Sequence, residues 1–302
     1  MPIRKKILIT GASGLLGANL VCHYAAKSNC IGWYSTNPVY FKGAKTEQID
    51  LTEYSSVSQA LRRIQPEIII HCASASDVDW NENHPTHSKA INEDVPKFLA
   101  QESIELGSKF IFISSPFIFD GKDGNYREGD PPGPLNTYAR GKLNAEISIA
   151  KSNPNSLIIR ACFYGYSPSG SHSILEWILG LASKNQEIPG FTDSYFSPIN
   201  VYDLSQALDA AISAKVRGIL HLGSINTVSK YEFIQMVLHN YEYNADLVIP
   251  ITVDGASLNV SRPRDSSLDI SLFQEILRAP ARTVVDGLDR FTSKPNPFAP
   301  QP

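Results

Sequence analysis

The segment Ile7-Leu8-Ile9-Thr10-Gly11-Ala12-Ser13-Gly14-Leu15-Leu16-Gly17 restricts the fold of this 302-residue chain more than any other. Ile7 to Thr10 reads as a short buried strand. Leu15 to Ala26 carries apolar residues at helical spacing, with Leu16, Leu20, Val21 and Tyr24 available for one face. A strand that runs through Gly-x-x-Gly-x-x-Gly into a helix must turn tightly, and glycine permits that turn. The same glycines let backbone approach a ligand closely, and a helix N-terminus offers free N–H groups to an anion such as a pyrophosphate.

The rest of the first half repeats this strand–helix alternation. Cys30–Tyr34, Glu67–Cys72, Lys109–Ser114 and Ser156–Ala161 read as strands, and Val57–Ile64, Pro96–Leu106 and Tyr138–Lys151 as helices. Apolar runs without polar alternation fit strands covered on both faces, so the pattern predicts βαβ units around a parallel sheet. After Gly165 the pattern loosens. Ser167–Ser173 reads as a loop, Ile174–Ser183, Val201–Ala214, Lys230–Asn240 and Leu272–Leu277 as helices, and Gly218–Gly223 as one more sheet strand. Pro250–Arg264 reads as irregular, and the proline-rich tail from Lys294 as extended.

With 42% hydrophobic and 19% charged residues the composition is that of a globular protein, and a net charge of −3 gives no overall field for nucleic acid or anionic membrane. Met1–Lys6 is basic, but the apolar run after it is too short for a signal-peptide core or a membrane span. Cys22, Cys30, Cys72 and Cys162 are scattered, which points to buried reduced thiols and a cytoplasmic protein without zinc or disulfides. His84-Pro85-Thr86-His87 reads as solvated surface at a loop or first helical turn, and no metal site is expected.

Tyr138-Ala139-Arg140-Gly141-Lys142 places a phenol and an ammonium on one helix face. A nearby ammonium favours the phenolate and lowers the tyrosine pKa, which makes the pair a proton-transfer group. Ser115 follows a strand and therefore stands at the carboxyl edge of the sheet, where sites of open α/β folds are found. At the end of the second strand, Trp33-Tyr34-Ser35-Thr36-Asn37 has no acid to hold ribose hydroxyls. Ser35, Thr36 or Asn37 can instead donate to a 2′-phosphate, which favours NADPH and leaves NADH possible. Asp50-Leu51-Thr52 either sets a carboxylate near an adenine or caps the following helix.

These motifs together resemble the extended short-chain dehydrogenase/reductases, and within them the dTDP-4-dehydrorhamnose reductase family. The resemblance runs over about residues 5 to 290. It is carried by Gly11–Gly17, His71–Ala75, Asp77-Val78-Asp79, Asn92, Ile113–Gly121, Tyr126-Arg127-Glu128, Pro131–Tyr138 and Lys142, then Ile158-Ile159-Arg160, Tyr164-Gly165, Ser197-Pro198, Asp203-Leu204, His221-Leu222 and Arg262–Asp269. It implies a doubly wound parallel Rossmann sheet with a smaller C-terminal substrate-binding lobe. The division implied is an NADP-binding domain over 1–165, rejoined by a strand near 218–223, and a discontinuous substrate lobe over 166–302.

The implied activity is NADPH-dependent reduction of the C4 ketone of a nucleotide-linked 6-deoxy-4-keto-sugar, with a homodimer possible. Ser115 would hold the carbonyl, Tyr138 would protonate the alkoxide, and Lys142 would lower the tyrosine pKa and hold the nicotinamide ribose. Gly11, Ser13, Gly14, Leu15, Leu16, Gly17, Ser35, Asp50, Leu51, Ala73, Ser74, Ala75 and Asn92 would complete the cofactor site, with Asn92 either orienting groups there or closing a helix start. Asp77, Phe117, Phe163 and Arg262 would face the substrate. Arg262 and Arg264 either clamp a diphosphate or pair with Asp265 or Asp269. Trp177 reads as core.

Two departures bear on the substrate. Pro116-Phe117 replaces the family's aspartate-tyrosine after the serine, and Ala161–Gly165 is one residue shorter than usual and lacks a tryptophan. A nucleotide-sugar epimerase and a non-catalytic NADP-binding subunit like the methionine adenosyltransferase beta subunit are the alternative readings.

Overall fold

The computed structural model describes residues 5–277 and 281–299, so Met1–Arg4 of the basic N-terminal segment and 300–302 of the tail lie outside the described residues. The chain divides into two compact units. Unit 1 holds the residues up to Ser115, Asn136–Ile159 and Val216–Ile219. Unit 2 holds Pro116–Leu135, Arg160–Lys215 and the residues from Leu220 on.

Unit 1 begins with β1 (Lys6–Thr10), α1 (Leu15–Ala25), β2 (Asn29–Tyr34), β3 (Lys45–Gln48), α2 (Tyr54–Ile64) and β4 (Ile68–His71). Helices α3 (Val78–Asn83), α4 (Pro85–Lys89) and α5 (Val95–Glu105) follow, with a π-helical stretch, Ala90–Asp94, leading into α5. Then come β5 (Lys109–Ser114), α6 (Thr137–Ser152) and β6 (Leu157–Tyr164), whose residues from Arg160 on belong to unit 2. The sheet order is β6-β5-β4-β1-β2-β3, with β10 (Gly218–Leu222) outside β6.

The β1–β2, β1–β4, β2–β3 and β4–β5 pairs are all parallel. The apolar runs account for this arrangement. Leu8, Ile69, Phe110 and Phe112 are fully buried and pack with Val57 and Leu61 of α2, Leu99 of α5 and Ala145 and Ile149 of α6. Such strands have no polar face to give to water, so helices must cover them. Chain order reverses at β1, with β2 on one side and β4 on the other. A crevice at the carboxyl ends of the strands forms at such a switch point.

Unit 2 contains α7 (Ile174–Ala182), β7 (Ile188–Phe191), β8 (Tyr195–Phe196), β9 (Pro198–Asn200), α8 (Val201–Ser213), β11 (Val228–Ser229), α9 (Lys230–Asn240), β12 (Val248–Ile251), α10 (Ser271–Leu277) and α11 (Val284–Thr292). β9 extends the large sheet by parallel pairing of Pro198–Asn200 with Cys162–Tyr164. β7 and β12 form a parallel pair, and β8 and β11 an antiparallel one. Aromatic rings fill the centre. Phe233 meets Tyr164 at 5.1 Å and Phe196 at 5.3 Å, both edge-on. Capping boxes start α9 at Ser229/Glu232 and α11 at Thr283/Asp286.

Several local expectations change. The segment 78–94 is helical, α11 exists, and β7, β8, β9, β11 and β12 are added. Trp177 is 42% exposed on α7 and is not core, because the buried face of that helix is Leu175, Ile178 and Ala182. Cys22 is exposed, whereas Cys30 is buried with its thiol pushed up to about 12 by burial; all four cysteines are free. The tail makes a turn at Asn296–Ala299 instead of continuing extended.

Candidate active site

The glycine segment closes the turn between β1 and α1. Gly11 has φ +70°, a left-handed conformation, and a Cβ there would stand 2.7 Å from the Ala73 nitrogen. A Cβ on Gly17 would stand 2.1 Å from the Gly11 carbonyl oxygen. β2 also presses on the turn, because a Cβ on Gly32 would meet the Ala12 Cβ at 2.9 Å, and Ala12 N donates to Trp33 O at 2.8 Å. Gly14 occupies the N-cap of α1 with no side-chain hydrogen bond, and no acid stands in the first turn of that helix. A glycine N-cap, a positive helix end and close backbone passage fit the diphosphate of a dinucleotide. Ser13 is half-buried in the turn, and Leu15 and Leu16 are buried behind it.

Across the switch point, Ala73, Ser74 and Ala75 leave the end of β4, and Asn92 holds them. Its Oδ1 accepts from Ser74 Oγ at 2.8 Å and from Ala75 N at 3.1 Å. Its Nδ2 donates to Ala75 O at 3.0 Å and to Asn81 Oδ1 at 2.8 Å. Asn92 is 1% exposed and sits in the π-helical stretch, not at a helix start. The π turn swings this amide out of α-helical register, a feature that recurs at functional sites. Thr10 Oγ1 accepts from Ala73 N at 3.2 Å, which leaves its proton for His71 Nδ1 at 2.7 Å. His71 is held far below the usual imidazole range, near 3, by burial first and Lys142 second.

Tyr138 and Lys142 lie one turn apart on α6, which Asn136 starts by accepting from Ala139 N at 2.9 Å. Thr137 N donates to Glu82 Oε2 at 3.0 Å and fixes the same end. Tyr138 is half-buried. Lys142 is 3% exposed and donates from Nζ to the Ile113 carbonyl at 3.0 Å, with Nζ 4.7 Å from the Phe112 ring centroid. Burial brings its ammonium down to about 8, against the upward pull of Cys72 and Glu146. Glu146, one turn further along α6 and 3% exposed, accepts from Ser114 Oγ. Ser115, 7% exposed, is the next residue. β5 and α6 thus bring Ser115, Tyr138 and Lys142 into one unit.

The remaining expected residues are more dispersed. Ser35 is exposed in the loop after β2. Asp50 forms a local turn, accepting from Thr52 N at 2.9 Å and Thr52 Oγ1 at 2.7 Å. It does not cap α2, whose N-cap is Glu53. Leu51 packs against the unit 1 core. Asp77 caps α3, accepting from Trp80 N at 2.8 Å. Phe117, in a short 3₁₀ turn, and Phe163, on β6, are half-buried in unit 2. Arg262 donates to Val260 O at 3.2 Å. Arg264 pairs with Asp254 and with Asp193, not with Asp265 or Asp269. His84 stacks on Trp80 at 4.7 Å. Glu146, Asn81 and the Thr10–His71 pair escaped the sequence reading. A glutamate four residues after the lysine was the available signal for the first.

The chain is similar to known proteins over most of its length. The family model described as RmlD substrate binding domain covers residues 5–295. The "Probable low-salt glycan biosynthesis reductase Agl14" of Haloferax volcanii is 29% identical over 287 residues, 93% of this chain and 95% of its own. The "Methionine adenosyltransferase 2 subunit beta" of Bos taurus is 27% identical over 282 residues, 90% of this chain and 82% of its own. The crystal structure of dTDP-4-dehydrorhamnose reductase from Bacillus anthracis in complex with NADP superposes with a TM-score of 0.83 at 24% identity, covering 96% of this chain and 99% of that one.

Proposed function

The chain belongs to the RmlD substrate binding domain family, and we propose that it is an NADPH-dependent reductase of the C4 ketone of a nucleotide-linked 6-deoxy-4-keto-sugar. The observation that carries this reading is the assembly of Ser115, Tyr138 and the buried Lys142 ammonium in unit 1. Unit 1 is the proposed cofactor-binding domain, and unit 2 the proposed substrate lobe.

Bound NADPH supplies the hydride to the ketone carbon. The glycine turn and the N-terminus of α1 hold the cofactor diphosphate, and the Ala73–Ala75 backbone, fixed by Asn92, lines the same cleft. Ser115 donates a hydrogen bond to the ketone oxygen and stabilises the charge that grows there. Tyr138 gives its proton to that oxygen, which completes the alcohol. Lys142, positioned on the Ile113 carbonyl, holds positive charge near the phenol and stabilises the phenolate left behind.

Ser35 is the proposed contact for the 2′-phosphate, with Asp50 and Leu51 at the adenine. Asp77, Phe117, Phe163 and Arg262 are the proposed substrate contacts. Asp77 and Arg262 already commit part of their hydrogen-bonding capacity to Trp80 N and Val260 O.

A second reading, a dinucleotide-binding subunit without turnover, is favoured by the match to the methionine adenosyltransferase subunit and by Pro116-Phe117 beside the serine. NADPH oxidation against a panel of nucleotide 4-keto-sugars separates the two. Tyr138→Phe should keep NADPH binding and lose most turnover. Unchanged reduction in that variant sinks the mechanism, and NADPH binding without turnover on any sugar favours the second reading.

A further inference from the structure

Lys230 opens α9 in unit 2, and its side chain is half-buried. Its Nζ stands 3.1 Å from the centroid of the Phe196 ring, itself fully buried. No carboxylate pairs with this ammonium among the described residues. Burial holds the ammonium below its ordinary range, against a smaller upward pull from the Cys162 thiol on β6.

The acids nearby in the chain are turned elsewhere. Glu232 accepts from Ser229 N at 2.7 Å in the capping box. Asp193 accepts from Val253 N at 2.8 Å and pairs with Arg264. The backbone of Lys230 is fixed by its N–H donating to Ser194 O at 2.8 Å. A desolvated ammonium without an anion is unfavourable, and an aromatic face offsets only part of that. The positive end of α9 adds to the local potential. Cys162 lies in the 161–165 stretch where this chain departs from the family pattern.

We propose that Lys230 forms an anion-binding subsite of unit 2 that takes phosphoryl oxygens of the substrate's nucleoside diphosphate. This rests on the nucleotide-sugar reading above and adds the residue that recognises the charged part of the substrate. A lysine suits this as a point charge with rotatable donors, and it needs no planar fork on the ligand.

The test is calorimetric titration of the full chain and of Lys230→Met and Lys230→Arg with inorganic pyrophosphate, dTDP and NADPH. A charged hydrogen bond of ordinary strength corresponds to roughly 10- to 100-fold in affinity. Lys230→Met is therefore expected to weaken dTDP and pyrophosphate by about that factor and leave NADPH within about twofold. Lys230→Arg should recover most of the loss, and KM for the keto-sugar should rise with kcat little changed. Unchanged dTDP affinity in Lys230→Met overturns the proposal, as does an equal loss of NADPH and dTDP or a wild-type chain that binds neither pyrophosphate nor dTDP. Absence of turnover on every keto-sugar counts against the reductase alone, because lysine-dependent dTDP binding in the same samples still supports the subsite.

Discussion

Lys142 donates a hydrogen bond from its ammonium to the carbonyl of Ile113, 3.0 Å away, and so ties α6 to the strand that ends at Ser114, the residue before Ser115. The proposed proton-transfer pair and the proposed carbonyl ligand are thereby set by one hydrogen bond across a single strand–helix contact. Ser114 repeats the tie one turn later through Glu146.

Activity should fall on an alkaline limb near pH 8. The ammonium of Lys142 is brought from 10.5 to about 8, so its charge is complete below that pH and lost above it. A profile of kcat/KM against pH reads this directly. Glu146→Gln removes a charge that holds the ammonium up and should move the limb to lower pH. The folding sign is opposite. The unfolded lysine keeps its proton between about 8 and 10.5 where the folded one has lost it, so this group adds stability as pH rises through that window. Denaturation midpoints of wild type and Lys142→Met across the window should diverge in that direction. An alkaline limb above pH 10 in the wild type contradicts the assignment.

Gly17→Ala should cost the dinucleotide site its shape. The added Cβ meets the Gly11 carbonyl oxygen at 2.1 Å, and backbone cannot rotate aside as a side chain can. A loss of about 1–3 kcal/mol in stability follows from forced overpacking, with weaker NADPH binding from the displaced turn. Thermal unfolding and a fluorescence titration check the two effects, and a variant indistinguishable from wild type in both refutes the tight-turn argument.

Asn92→Ala should destabilise unit 1 and loosen Ala73–Ala75. It strips partners from Ser74 Oγ, the Ala75 N–H and Asn81 Oδ1, while the Ala75 carbonyl keeps Asn81 Nδ2 at 2.9 Å, in a place where Asn92 is 1% exposed. Each buried group left unsatisfied costs roughly 1–3 kcal/mol. Asn92→Asp restores the acceptor but faces the Ala75 and Asn81 oxygens with another oxygen, so it should be no better than alanine. Urea denaturation of both variants decides, and full stability in either one removes the clamp from the account.

The large sheet was legible because β1, β4 and β5 are continuous apolar runs, which have few places to go except between two helix layers. The positions of Ser115, Tyr138 and Lys142 were legible from their neighbours: Ser115 directly follows the apolar run of β5, and Tyr138 and Lys142 stand four residues apart at the start of α6. The region 78–94 was not, because Asp79, Asn81, Glu82, Asn83 and His84 show no apolar stripe, and its helices are held by tertiary hydrogen bonds such as Asn92–Asn81. The short strands of unit 2 are two to four residues long, below the length at which periodicity is readable. Trp177 was misassigned because hydrophobicity alone cannot say which face of α7 is buried.

Ser35→Asp should turn the cofactor preference toward NADH. The loop after β2 exposes Ser35 and carries no acid, and a carboxylate there would accept from ribose hydroxyls and repel a 2′-phosphate. The NADPH-to-NADH ratio of kcat/KM is expected to drop by about tenfold or more, the size of a single charged hydrogen bond. An unchanged ratio places 2′-phosphate recognition elsewhere.

Arg290→Met should destabilise the protein more than Arg282→Met, although both arginines reach the same carboxylate oxygen. Asp203 Oδ1 takes Arg290 Nη1 at 2.6 Å and Arg282 Nε at 3.4 Å, while its Oδ2 accepts from Asn200 Nδ2 at 2.6 Å. The Asp203 side chain is 12% exposed, and the two arginines are 24% and 49% exposed respectively. These residues also line a cavity of about 160 Å³ in unit 2. Removing the less exposed arginine leaves a half-buried carboxylate whose Oδ1 has only a longer, solvent-screened arginine, while Asn200 still serves its Oδ2, at a cost of roughly 1–3 kcal/mol. Removing the exposed one should cost less than about 1 kcal/mol. Because α11 carries Arg290 and Asn200 also donates to the Gly287 carbonyl at 3.0 Å, the loss should appear as fraying of α11. Hydrogen exchange across Val284–Thr292, set beside the denaturation midpoints, tests this. Equal midpoints in the two variants would mean that the nearer arginine does not anchor the helix.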